Sequence, residues 1–82
     1  MTVFADTSYW IAITNPNDNL HEKAKEATAA IGKQRILTTD AVLAEYLNFF
    51  CGHGDKLRML AASKVKAYLS HANVDVIPAA RD

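Results

Sequence analysis

Cysteine is almost missing from this sequence: Cys51 stands alone, which excludes an internal disulfide and fits a reducing compartment. A lone thiol of this kind is expected to act as a small buried hydrophobe. Proline and glycine are scarce, at two and three residues, and no low-complexity segment or internal repeat interrupts the chain. There is no excess of charge of either sign, since nine basic residues balance nine acidic ones. That balance removes the global attraction to nucleic acid that a strongly basic domain exerts, so any contact with RNA must come from a local patch. No stretch approaches the roughly 18 apolar residues of a membrane span. Met1 leads straight into a strand with no basic and apolar leader, so a soluble protein with a cytoplasmic location is the expectation.

What is present is a globular composition, with 50% hydrophobic and 22% charged residues over 82 positions. That length predicts a single domain, spanning residues 1–82, near the lower limit for a self-sufficient core. Short apolar runs predict strands at Val3–Asp6, Arg35–Thr38 and Val74–Ile77, of a composition suited to a sheet buried on both faces. Helical patterns lie between them. The first helix is expected to begin at Thr7 or Ser8, either of which can cap it, and to break at Asn15-Pro16-Asn17-Asp18. Asn19 with Glu22 resembles a capping box for a second helix with its stripe on Leu20, Ala24, Ala27 and Ile31, and Gly32 sits where a C-terminal cap belongs. A third helix is expected from Thr39-Asp40 to Cys51-Gly52. A fourth is expected after an Asp55 cap, with Leu57, Ala61, Val65, Tyr68 and Leu69 on its inner face. Strands alternating with helices predict an α/β fold with a short parallel sheet and right-handed crossovers.

In such sheets ligands bind beyond the carboxyl ends of the strands, and Asp6 closes the first strand. Glu45 falls within the apolar helical run Val42 to Phe50, where a buried charge would need a partner. At about 100° per residue Glu45 and Asn48 share a face outside the apolar arc. The two acids suggest a cation site. The other polar residues have simpler readings: Asp18, Asp40 and Asp55 suit helix starts, and His21, His53 and His71 lack zinc-ligand spacing. Thr7 and Ser8 suit capping, with contact to phosphate or to Asp6 as the alternative. Trp10, Tyr9, Phe49 and Phe50 are expected in the core rather than stacked on bases. Arg58, Lys64 and Lys66 are read as a solvated helix face rather than a phosphate-binding rim.

The motifs Asp6-Thr7-Ser8-Tyr9-Trp10-Ile11-Ala12 and Glu45-Tyr46-Leu47-Asn48-Phe49-Phe50, with Leu37-Thr38-Thr39 between them, resemble the N-terminal part of a PIN domain from about Val3 to Pro78. They are similar to the bacterial toxin-type (VapC-like) PIN ribonucleases of toxin–antitoxin pairs. The resemblance implies a three-layer PIN-like fold, here ending after its third strand as an incomplete domain. It further implies a Mg²⁺- or Mn²⁺-dependent endoribonuclease with Asp6 and Glu45 as metal-binding catalytic acids, and with Thr7, Ser8 and Asn48 around them. The family's remaining catalytic aspartates lie after the third strand and have no counterpart before Asp82, which is not read as a substitute. The implied partners are RNA, an antitoxin, and a second copy or complementing chain, with no membrane. The alternative expectation is a remnant without catalysis that binds an antitoxin.

Overall fold

A computed structural model describes residues 2–78. The elements run β1 (Thr2–Phe4), α1 (Thr7–Thr14), α2 (His21–Ile31), β2 (Arg35–Thr39), α3 (Asp40–Cys51), α4 (Gly54–Ser70) and β3 (Val74–Ile77). The strands form a parallel sheet in the order β1-β2-β3, with Phe4 opposite Leu37 and Leu37 opposite Asp75. The α/β class and its parallel sheet are as expected from the sequence. Each strand pair is joined by two helices, because parallel neighbours cannot be linked by a tight turn.

The core lies between the helices and one face of the sheet. Trp10 of α1, Leu43, Tyr46 and Phe50 of α3 and Ala61 of α4 form a buried cluster with Ala5, against which Ile36 and Val76 of the sheet pack. Within α3 the buried positions are Leu43, Tyr46 and Phe50, spaced by three and four residues so that they form one stripe. Ala61 is fully buried in this cluster, where α4 packs against α3. Trp10 stacks on Tyr68 at 4.1 Å between ring centroids, which ties α1 to α4. The opposite sheet face differs from the expectation of burial on both sides: Phe4 and Ile77 are 55% and 46% exposed. The same face carries an ion pair of Arg35 on β2 with Asp75 on β3, which raises the guanidinium pKa and lowers that of the carboxyl through their hydrogen bonds.

Several boundaries and exposures differ from the sequence reading. β1 ends at Phe4 rather than Asp6, although the Ala5 amide still bonds to the Leu37 carbonyl at 2.8 Å. Helix α2 has no side-chain cap from Asn19. Instead Asn15 Oδ1 accepts from the Asn17 amide across Pro16 and Asp18 Oδ1 from the Leu20 amide, so two side-chain turns replace the capping box. His21 Nδ1 lies 2.6 Å from the Ala12 carbonyl, one of the last carbonyls of α1, and links the two helix ends. Helix α4 starts at Gly54 with His53 at the cap position, and Asp55 lies in its first turn facing Arg58 at 3.1 Å. Cys51 is exposed, not buried, because the α3 stripe that precedes it ends on Phe50. Leu20 and Leu69, expected on inner faces, are exposed as well, and Phe49 stacks on His53 at 4.3 Å instead of joining the buried cluster.

Candidate functional site

Asp6 follows β1 at the carboxyl end of the sheet, and its side chain, not that of Thr7 or Ser8, caps α1. Asp6 Oδ1 accepts from the Tyr9 amide at 3.0 Å while the backbone of Asp6 stays extended, with φ −94° and ψ 179°. The cap satisfies one of the amides that a helix start leaves without an internal partner. A carboxylate offers about four lone-pair positions, so this bond leaves it able to accept more. Its charge also meets the positive end of the helix dipole.

Glu45 reaches the same end of the molecule from α3. Thr39 directs that helix: as its N-cap residue it accepts from the Val42 amide at 3.1 Å, so the helix begins as soon as β2 finishes. Glu45 is exposed rather than buried among the apolar residues around it, because it falls in the gap left by the stripe Leu43, Tyr46 and Phe50. Exposure removes the desolvation cost that a charge in this run would otherwise carry. Thr7, the residue after Asp6, places its hydroxyl 3.5 Å from Glu45 Oε1, at the long end of hydrogen-bond range. Two acids from separate segments therefore flank the first turn of α1.

The remaining positions divide. Asn48, one turn beyond Glu45, is exposed on the same side of α3. Ser8 opens instead on a groove of about 240 Å³ between α1 and α2, lined by Tyr9, Ala12, Leu20, Lys23 and Ala24. Arg58, Lys64 and Lys66 are exposed on α4, as expected of a solvated helix face. No three or more His, Cys, Asp or Glu side chains converge on a common point among the described residues, so Asp6 and Glu45 have no third acid beside them there. Asp82 lies outside the described residues.

Beneath Asp6 is a buried chain of hydrogen bonds that sequence reasoning did not single out. Trp10 Nε1 donates to Thr38 Oγ1 at 3.1 Å, and Thr38 Oγ1 donates to the Ala5 carbonyl at 2.9 Å. Nothing in the local sequence announces it, because Trp10 and Thr38 are 28 residues apart and meet only when β1 and β2 pair.

Comparison with solved structures places this arrangement. The crystal structure of Mycobacterium tuberculosis VapC20, described as a sarcin–ricin loop cleaving toxin, superposes with a TM-score of 0.80 at 28% sequence identity. The match covers 98% of this chain and 58% of that one, so the chain spans somewhat over half the length of its relative. Comparison with curated proteins gave no significant match. The PIN domain family model matches residues 3–82. With the strand–acid–helix order and parallel sheet already described, that match over nearly the whole chain shows that it belongs to the PIN domain family.

Proposed function

We propose that this chain carries part of the active site of a PIN-type endoribonuclease, dependent on Mg²⁺ or Mn²⁺ and acting as the toxin of a toxin–antitoxin pair in the cytoplasm. The observation that carries the reading is the placement of Asp6 and Glu45 on either side of the α1 N-terminus, at the carboxyl end of a parallel sheet. The donor set fits the cation in kind: both are hard carboxylate oxygens, and Mg²⁺ is commonly held by one or two carboxylates while its other positions go to water and phosphate. Bound there, a divalent cation would lower the pKa of a water and offset charge on the phosphoryl oxygens of an RNA phosphodiester. Asp6 and Glu45 would hold it, and Thr7 would orient Glu45. Ser8 and Asn48 are assigned to the surroundings of these acids, Ser8 toward the α2 groove.

The partners in this reading are an RNA substrate and an antitoxin protein, together with a second copy or a complementing chain. Support for an associating partner comes from β1, an edge strand, and from the exposed Phe4 and Ile77 on the open sheet face. The same observations support a second reading, in which the chain binds an antitoxin without cleaving RNA.

Incubation of the purified chain with RNA, with and without its co-purifying partners, separates the two. The nuclease reading predicts cleavage that requires Mg²⁺ or Mn²⁺, stops in excess EDTA and is abolished by Asp6→Asn. Cleavage at full rate in EDTA or in the variant would refute it, and absence of cleavage with an antitoxin still bound favours the second reading.

A further inference from the structure

One hydroxyl satisfies two buried groups at the foot of Asp6. Ala5, Trp10 and Thr38 are each at most 4% exposed, so no solvent competes for the bonds among them. A threonine hydroxyl has one proton and two lone pairs. Here the proton goes to the Ala5 carbonyl and a lone pair receives the indole N–H, so the direction of both bonds is fixed. The Ala5 carbonyl and the Asp6 nitrogen belong to the same planar peptide unit. Holding the carbonyl therefore holds the peptide plane from which Asp6 projects, and the Asp6 Cα with it. The next residue, Thr39, performs the corresponding task for the second acid by capping the helix that bears Glu45. Adjacent hydroxyls at the end of β2 thus set the positions of both acid-bearing segments.

We propose that Thr38 is a positioning residue for the divalent-cation site, orienting Asp6 through the Trp10–Thr38–Ala5 hydrogen-bond chain; the inference rests on the reading of Asp6 and Glu45 as cation ligands. Displacing that peptide misaligns Asp6 relative to Glu45, and loss of outer partners around metal ligands typically lowers affinity by about 10- to 100-fold. Because Trp10 is the sole tryptophan, its indole N–H gives one resolved signal for the state of the chain.

The test is a Mg²⁺ titration of the ¹⁵N-labelled 82-residue chain, followed by NMR, on wild type, Thr38→Val, Thr38→Ser and Asp6→Asn. Wild type is expected to show saturable shifts at the amides of Asp6, Thr7 and Glu45, with the indole N–H moving at the same midpoint. Thr38→Val is expected to need about tenfold more Mg²⁺ and to lose the indole response, while Thr38→Ser, which keeps the hydroxyl, restores both. A purely structural threonine would lower the melting temperature of Thr38→Val without moving the Mg²⁺ midpoint, and that result overturns the proposal. If Thr38→Val does not fold, the wild-type indole response and the Thr38→Ser midpoint decide: a stationary indole signal overturns the inference. Wild type without saturable shifts, indistinguishable from Asp6→Asn, removes the cation site itself and the positioning role with it.

Discussion

Asp6 caps α1 and, in the proposed reading, also holds the cation, and a pair of substitutions separates the two. Asparagine caps a helix about as well as aspartate, whereas alanine cannot accept the Tyr9 amide. Asp6→Asn is therefore expected to keep the stability of wild type to within a few tenths of a kcal/mol, and Asp6→Ala to lose about 1 kcal/mol, in urea denaturation. Equal losses in both variants would show that charge, not the cap, is what steadies α1. Asp6 was readable from sequence because its position after an apolar strand and before a helix is itself the signal. The environment of Glu45 was not: an unbroken apolar run suggests burial, but the helical period opens a gap between Leu43, Tyr46 and Phe50 that leaves Glu45 in solvent. The Trp10–Thr38–Ala5 chain was invisible for a different reason, since it depends on strand pairing that no local pattern encodes.

At the scale of elements, helix identity followed from spacing, while several starts and exposures depended on the turns and tertiary packing. α3 was recognisable at both ends because Thr39 caps it and Gly52 follows it. The start of α2 follows the side-chain turns of Asn15 and Asp18, which take the amides of Asn17 and Leu20, in place of a capping box from Asn19 to Glu22. The α3–α4 connection turns on Gly54, with φ +87°, a conformation that L-residues with a Cβ rarely adopt. No atom lies within 4 Å of the place a Cβ would occupy at Gly54 or Gly52, so only the backbone decides the cost of substitution. Gly54→Ala should lose about 1–2 kcal/mol. Gly52→Ala, at φ −95°, should be neutral or gain up to about 1 kcal/mol through the unfolded state. Urea midpoints that fall equally for both variants would contradict this account of the turn.

Across the whole molecule, the buried cluster that joins α1, α3 and α4 is sealed by phenols as well as by hydrocarbon. Tyr46 Oη lies 2.7 Å from Thr14 Oγ1, and burial pushes the ionisation of both Tyr46 and Tyr68 upward. A phenol with a raised pKa stabilises the fold fully below its ordinary value near 10, and that contribution is lost as pH rises through the raised value. In a Tyr9→Phe background, phenolate absorbance at 295 nm is thus expected to grow together with loss of helical ellipticity above about pH 10. Phenolate formation by both residues near pH 10 with ellipticity intact would contradict it. The same packing holds α1 and α3 side by side, and so holds Thr7, the residue after Asp6, beside Glu45. Whether these two acids share a divalent cation is tested most directly by diffraction from crystals of this chain grown with Mn²⁺. The account predicts an anomalous difference peak within about 2.0–2.5 Å of oxygens from both Asp6 and Glu45, lost in Asp6→Asn. A fully occupied Mn²⁺ elsewhere on the protein, with none between these carboxylates, would contradict it.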